Sequence, residues 1–198
     1  MYKRPLFIFF IGLSLMPLLS VGQKADDDYV TNAKYFLNRG DDSTRCPFLL
    51  AENLDTSDFL YIKRALSTDS ICRRITYDHG ATVVTECLTF NKKERGIIDS
   101  FLSNYENFAW KDNSLVNKST IITRKTIDSL AVNNIQLVNY LSKDYHFSSV
   151  EFMSKPIFLR DYTICIFYSQ SIFRVFGGGG SFTIFQKVNG KWKIYRWL

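Results

Sequence analysis

Residues 181–198 read SFTIFQKVNGKWKIYRWL, and this stretch decides the fold class. Asn189-Gly190 lies between two runs rich in β-branched and aromatic residues, and this dipeptide is the strongest short-range signal for a two-residue hairpin turn. The turn predicts three facing pairs: Phe182 with Trp197, Ile184 with Tyr195, and Phe185 with Ile194. The sequence therefore predicts an antiparallel hairpin at this end of the chain.

Strands and helices are segregated along the rest of the chain. Alternation with a period of two predicts strands over residues 150–153, 161–168, 181–188 and 191–198. Helical spacing and capping residues predict helices over residues 28–37, 57–66, 91–106, 123–131 and 135–145. Asn91 and Glu94 form a predicted capping box at the start of the third helix, and its expected buried stripe includes Ile97 and Ile98. Such segregation is typical of the α+β class. We expect several helices packed on an antiparallel sheet whose last strands form a meander.

A second hairpin is predicted between residues 71–77 and 81–89. A two-residue turn at His79-Gly80 sets Ile75 opposite Val84, Ile71 opposite Leu88, Arg73 opposite Glu86, and Cys72 opposite Cys87. Facing residues in an antiparallel pair lie ~4.5–5.5 Å apart at Cα, within the range that a disulfide tolerates. The register therefore predicts a Cys72–Cys87 disulfide. Cys46 and Cys165 would then pair with each other or remain as buried thiols.

The first 22 residues have the pattern of a secretory signal peptide. Lys3 and Arg4 precede an apolar run from Leu6 to Leu19, and the small residues 20–22 follow. The run is shorter than the ~20 residues that a membrane-spanning helix needs. We expect cleavage near Gln23, an exported (periplasmic or secreted) protein with no membrane span after cleavage, and a single α+β domain over residues 23–198.

Several chemistries find little support in the sequence. The chain has 2 histidines, and His79 fits a turn while His146 follows a predicted helix end. The formal net charge is +6 and falls to +4 without Lys3 and Arg4, and no basic block of the kind that binds nucleic acid is present. We therefore predict no nucleic-acid partner, no metal, no cofactor and no assignable catalytic residue.

The glycine run Gly177–Gly180 does not make a phosphate-binding loop. It precedes a strand and lacks the lysine and helix that the phosphate-binding motif requires. The predicted connection over residues 169–180 is instead apolar for a loop, since it carries Phe173, Arg174, Val175 and Phe176. Such a loop either packs under the sheet or forms a contact surface.

Aromatic side chains of the last hairpin are the other candidate binding surface. One predicted face carries Phe182, Ile184, Tyr195 and Trp197, and the other carries Phe185, Trp192 and Ile194. Two apolar faces mean that both are covered, or that one lines a cavity or contacts a partner. The candidate ligand-binding residues are therefore Phe173, Arg174, Phe176, Trp192, Tyr195 and Trp197.

The C-terminal quarter of the chain carries a resemblance. Residues 154–158 (SKPIF), the glycine run and residues 189–193 (NGKWK) resemble the ending of small exported proteins of unknown function from Gram-negative bacteria. The resemblance covers roughly the last fifty residues and implies no activity. Sheet-ended α+β domains of this size also look like nuclear-transport-factor-like or cystatin-like folds, which hold both enzymes and binding modules.

Two functional hypotheses follow. The first is a non-enzymatic binding or interaction module that uses the aromatic sheet face or the 169–180 loop, with a protein, a glycan or a small apolar molecule as its partner. The second is a small hydrolase or isomerase with a cavity between the sheet and the helices. A pocket lined by converging Asp, Glu, His or Tyr side chains would favour the second hypothesis.

The signal-peptide prediction can be checked on exported material. N-terminal sequencing of the mature protein should begin near Gln23, because the small residues before it suit the signal-peptidase site. A sequence that starts at Met1 in exported material would show that residues 1–22 are retained.

Overall fold

The computed structural model describes residues 16–39, 47–77, 82–105, 108–111, 115–131, 147, 149–173 and 178–197. The described helices are α1 (Met16–Leu37), α2 (Thr56–Leu66), α3 (Lys92–Asn104) and α4 (Arg124–Ala131). The described strands are β1 (Phe48–Ala51), β2 (Ser70–Tyr77), β3 (Thr82–Thr89), β4 (Ser119–Ile122), β5 (Ser149–Met153), β6 (Ile157–Leu159), β7 (Ile164–Phe173), β8 (Gly178–Val188) and β9 (Lys191–Trp197). These elements confirm the α+β class.

Seven of the described strands form one mixed sheet. Six of them lie in the order β4-β1-β5-β7-β8-β9, and β6 pairs with β7 beyond the end of β5. Strand β1 runs parallel to β4 and β5, whereas the other pairs are antiparallel. The expected C-terminal meander is confirmed as β7–β8–β9, but the expected antiparallel sheet has a parallel part.

Strand β1 was not predicted because apolar and polar residues do not alternate along it. All four residues of Phe48–Ala51 are buried, since the strand lies between two neighbours and is covered on both faces. Strands buried on both faces read as short apolar runs rather than as alternating patterns. A run this short carries no period by which a strand could be recognised.

Each face of the sheet carries its own apolar core. Against one face pack α2, α3, α4 and the β2–β3 hairpin, through a cluster that includes Ile62, Ile98, Ile166 and Phe182. Against the other face packs α1, through a cluster that includes Phe36, Leu50, Phe167 and Phe185. The molecule is therefore layered as helix, sheet, and helices with a hairpin.

The C-terminal hairpin forms as predicted near its turn and departs from prediction further along. Asn189 and Gly190 adopt φ values of 50° and 75°, as a two-residue turn of this type requires. The pair Phe185–Ile194 is confirmed, but a bulge follows it. Beyond the bulge Ile184 faces Arg196 and Thr183 faces Trp197. The predicted pairs Ile184–Tyr195 and Phe182–Trp197 are therefore wrong, because one extra residue shifts the register.

The β2–β3 hairpin confirms all four predicted pairs and the disulfide. Cys72 faces Cys87 with their Cα atoms 4.0 Å apart, and the two sulfur atoms are bonded. The predicted turn at His79-Gly80 lies outside the described residues. Cys165 is a free, buried thiol, which is one of the two alternatives that the sequence left open. Cys46 also lies outside the described residues.

Several predicted boundaries change. Helix α1 begins at Met16, so Asp28 lies within the helix and does not cap it. Strand β7 continues to Phe173, and strand β8 already begins at Gly178. Most of the predicted 169–180 loop is therefore paired strand. The predicted helix over residues 135–145 lies outside the described residues. None of the described helices is long and apolar enough to cross a membrane.

The Asn189-Gly190 turn generates a stability prediction. Replacing both residues by valine should lower the free energy of unfolding by about 1 kcal/mol or more, because β-branched residues strongly disfavour positive φ. Urea denaturation measures the change, and an Asn189→Asp variant is the control because aspartate tolerates this conformation. A double-valine variant as stable as the control would contradict the account of the turn.

Candidate functional site

A pocket of about 800 Å³ opens along the outer edge of β6. Four parts of the chain form its walls: one side of α3, Phe108 in the segment after α3, the segment 155–162 that contains β6, and Tyr29 of α1. Strand β6 lies past the end of β5, so no described strand pairs with its outer edge. The pocket therefore occupies the place that a further strand would take.

Helix α3 presents one face to the pocket and another to the core. A capping box begins the helix, because Asn91 Oδ1 accepts a hydrogen bond from the Glu94 N–H and Glu94 Oε2 accepts one from the Asn91 N–H. Ile97 was expected in the buried stripe, but it is 38% exposed and lines the pocket. The expectation was wrong because Ile97 sits at the edge of the apolar stripe, beside the fully buried Ile98.

An interruption before β6 gives this strand its free edge. Strand β5 ends at Met153, and the Ser154 side chain then accepts a hydrogen bond from the Tyr168 N–H while its own N–H donates to the Tyr168 carbonyl. Pairing with β7 resumes at Ile157 with the register shifted by one residue. The Ser154–Pro156 interruption thus works as a bulge, which re-aims the strand that follows it.

The main chain of Phe158 faces the pocket. Backbone N–H and C=O groups turn alternately to either side along an antiparallel strand. On β7, the main-chain groups of Tyr168 form hydrogen bonds on the side where β5 and β6 lie. The alternate residues Ile166 and Ile164 therefore form main-chain hydrogen bonds on that side too, and their partners on β6 are Ile157 and Leu159. Phe158 lies between these two partners and consequently turns its N–H and C=O outward, to the edge where the pocket lies.

An ion pair between a buried carboxylate and a half-exposed guanidinium lies at one end of the pocket. Glu94 is 3% exposed, and its Oε1 accepts a hydrogen bond from Arg160 Nε at 3.0 Å. The second guanidinium nitrogen, Nη2, donates to the Thr89 carbonyl. Both carboxylate oxygens of Glu94 therefore have partners, and the pair ties α3 to the end of β6.

Aromatic rings and a lysine form the opposite part of the lining. The Tyr29 hydroxyl donates to the Pro156 carbonyl at 3.2 Å, and the Tyr29 ring meets the Phe158 ring edge-on. Lys155 Nζ lies 4.5 Å from the centre of the Tyr29 ring. Tyr29 thereby links α1 to the β6 segment and holds a cation at the pocket.

The tyrosines of the lining are poor acids at neutral pH. Burial raises the pKa of Tyr29, of Tyr105 and of Tyr162, and for Tyr105 the nearby Asp58 carboxylate adds to the rise. A raised phenol pKa keeps the hydroxyl protonated, because desolvation disfavours the charged form. These groups can donate hydrogen bonds and pack against apolar surface, but they do not transfer protons readily near pH 7.

A carboxyl with a raised pKa lies behind the pocket. Burial raises the pKa of Asp58, which accepts a hydrogen bond from the Tyr168 hydroxyl at 2.6 Å. Gly180 allows this arrangement, since a Cβ there would lie 2.5 Å from the Tyr168 hydroxyl oxygen. Among the described residues, Asp58 Oδ2 and the Tyr105 hydroxyl have no hydrogen-bond partner. Asp58 itself does not line the pocket.

The residues predicted to bind a ligand do not come together in the pocket. Trp192 packs in the α1-facing core, with its ring 5.3 Å from that of Phe36, and Tyr195 is 39% exposed on β9. Trp197 and Phe173 lie in the strands β9 and β7. Arg174 and Phe176 lie outside the described residues.

Sequence reasoning missed most of the pocket because its residues carry no motif. Helix α3 and the 155–162 segment lie about sixty residues apart, and only the fold brings them together. The signal that was available is Pro156, which cannot donate to a sheet ladder and therefore marks an edge or an interruption in a strand. Pro156 stands in the SKPIF stretch, which also carries part of the resemblance to small exported proteins.

Comparisons with protein-family models, with curated proteins and with solved structures find no match for this chain. The geometry of the pocket is therefore the observation that bears on function. Among the residues that the structure describes, no group of three or more His, Cys, Asp or Glu side chains could hold a metal ion.

The Glu94–Arg160 pair generates a stability prediction. Glu94→Ala leaves the Asn91 N–H and Arg160 Nε without their acceptor, and should lower the free energy of unfolding by roughly 1–3 kcal/mol. Glu94→Gln keeps an acceptor for the Asn91 N–H and should cost less. Urea denaturation compares the three proteins, and equal stabilities would contradict the assigned role of Glu94.

Proposed function

We propose that this protein is an exported, non-enzymatic binding protein that holds a small, largely apolar molecule in the pocket between α3 and β6. The class of function is the first of the two sequence hypotheses. The location differs, because the pocket replaces the aromatic sheet face and the 169–180 segment as the binding surface. The observation that carries the proposal is the pocket at the unpaired edge of β6.

The size and the lining of the pocket suit a small organic molecule. A volume of about 800 Å³ falls within the range of roughly 300–1,000 Å³ that is usual for ligand pockets. Apolar side chains dominate the walls, and they include Ile97, Phe101, Phe108, Ile157, Phe158 and Leu159. Polar groups stand among them at a few fixed places, as ligand orientation requires.

The sheet faces are less suitable because they are already filled. Phe182 and Ile184 are buried in the core under α2 and α3, and Phe185 is buried under α1. Trp192 contacts Phe36 and Phe158 in that second core. Phe182, Phe185 and Trp192 therefore stabilise the fold and are not available to a ligand.

The protonation chemistry of the lining favours binding over catalysis. A hydrolase or isomerase needs a group that exchanges protons near neutral pH. Glu94 is held by Arg160 and by the capping box, and burial raises the pKa values of the lining tyrosines away from neutrality. Asp58 has a raised pKa but lies outside the lining.

A peptide added as a strand would find few bonds at β6. Pro156 has no N–H, and its carbonyl accepts from the Tyr29 hydroxyl. The alternation along β6 leaves only the N–H and the C=O of Phe158 for an added strand. Main-chain hydrogen bonds supply much of the affinity of strand addition, so a compact small molecule fits this edge better than an extended chain does.

Export is supported by two features. The leader pattern of residues 1–22 has the charge, apolar run and small-residue end of a secretory signal. The Cys72–Cys87 disulfide is of a kind that persists in oxidising compartments and is rare in the cytosol. The C-terminal resemblance to small exported proteins of Gram-negative bacteria agrees with this placement.

A fluorescent probe tests the binding proposal. Uncharged anilinonaphthalene, which fluoresces when it leaves water, should bind the mature protein with saturation at one site. Ile97→Trp places a large ring in the pocket from its α3 wall and should weaken this binding tenfold or more. Ile194→Trp is the matched control, because Ile194 is an exposed isoleucine on β9 that does not line the pocket.

The two tryptophan variants separate the outcomes. Weaker binding by Ile97→Trp together with unchanged binding by Ile194→Trp supports the pocket as the site, provided that both variants melt near the wild-type temperature. No saturable binding, or equal binding by both variants, would refute it.

A further inference from the structure

We propose that the ligand is a monoanionic amphiphile, whose anionic group binds Lys155 while its apolar part lies along α3. The inference rests on the proposed function, since it names the chemical class that the same pocket takes. The observation that supports it is that Lys155 lies over the Tyr29 ring in a pocket whose other walls carry apolar side chains.

The charges of the lining leave an excess of cations. Three basic residues line the pocket, Lys93, Lys155 and Arg160, against two acidic ones, Glu94 and Asp161. Arg160 and Glu94 neutralise each other at 3.0 Å. Within the described part of the chain, neither lysine has a carboxylate within 4.0 Å. The two lysines then outweigh Asp161 by one positive charge, which a monoanionic ligand complements.

Lys155 is the better placed of the two lysines. Its ammonium lies 4.5 Å from the centre of the Tyr29 ring, and a cation over an aromatic face is attracted by the ring quadrupole. The Tyr29 ring is fixed in turn, by the hydrogen bond to the Pro156 carbonyl and by contact with Phe158. The cation is thus held in position before a ligand arrives, which lowers the entropic cost of binding.

A second donor lies on the same strand segment. The Phe158 N–H turns to the outer edge of β6, as the alternation along the strand requires, and Phe158 belongs to the lining. A carboxylate or sulfonate has enough oxygen atoms to accept from an ammonium and from a main-chain N–H together. The segment 155–158 therefore brings one charged and one neutral donor to the pocket.

The apolar walls receive the rest of the ligand. Phe101 and Phe108 approach the pocket from α3 and from the segment after it, and Ile157 lines it from β6. Burial of ligand carbon against these side chains is favourable in proportion to the area removed from water. A ligand with one charged end and an apolar body would satisfy both parts of the site at once.

A matched pair of probes tests the inference. Anilinonaphthalene sulfonate carries one negative charge, and anilinonaphthalene is its uncharged parent with the same rings. The wild-type protein should bind the sulfonate about tenfold more tightly than the parent, since a charge-assisted hydrogen bond contributes somewhat more than 1 kcal/mol. Lys155→Met should remove this preference and leave the affinity for the parent unchanged.

Three control variants sharpen the result. Lys155→Arg keeps the positive charge and should keep most of the preference for the sulfonate. Lys191→Met removes an exposed lysine of β9 and should change neither affinity. Lys93→Met should reduce the preference less than Lys155→Met does, because Lys93 has no described aromatic ring beneath its ammonium.

The outcomes for the inference and for the proposed function differ. Equal affinities for the two probes in the wild type would overturn the anionic class and leave pocket binding intact. A preference that survives in Lys155→Met, or that only Lys93→Met removes, would overturn the role of Lys155. Failure of both probes to bind would instead refute the proposed function. Loss of the preference in Lys155→Met alone supports the inference.

Discussion

The structure depends on one constraint: the central strands of the sheet are apolar on both faces, and both faces must be covered. Phe36 of α1 shows how the second face is closed. Its side chain is fully buried and lies within about 6 Å, ring centre to ring centre, of Phe158, Phe167, Phe185 and Trp192. Rings that meet edge-on in this way add to the energy of burial. Without α1 this apolar surface would face water.

Coverage of both faces leaves the edges of the sheet as the place for a binding site. The two edges of a central strand are paired with neighbouring strands along most of its length. Strand β6 differs because it begins after the Ser154–Pro156 interruption, beyond the end of β5. The outer edge of β6 therefore meets α3 on one side and Tyr29 of α1 on the other. The pocket is a consequence of the interruption, and the polar groups around it stabilise the two helices that form its walls.

The sequence predicted what depends on neighbouring residues and missed what depends on the fold. The Cys72–Cys87 hairpin and the Asn91–Glu94 capping box follow from short spacings, and both are confirmed. Strand β1 was missed because a run of four buried residues has no period. The predicted register beyond Ile194 was wrong because no residue pattern in the sequence indicates the bulge. The pocket was missed because α3 and β6 meet only in three dimensions.

Chemical-shift mapping by NMR tests the central claim most directly, namely that the β6 edge is where a ligand binds. Titration of the isotope-labelled mature protein with anilinonaphthalene sulfonate should shift the amide signals of residues 91–105 and 155–162, with the Phe158 amide among the largest changes. Signals of the β8–β9 hairpin should stay in place, because Phe182, Phe185 and Trp192 belong to the filled cores. Shifts confined to residues 182–197, with those of 155–162 unchanged, would contradict the account and return the binding site to the aromatic sheet.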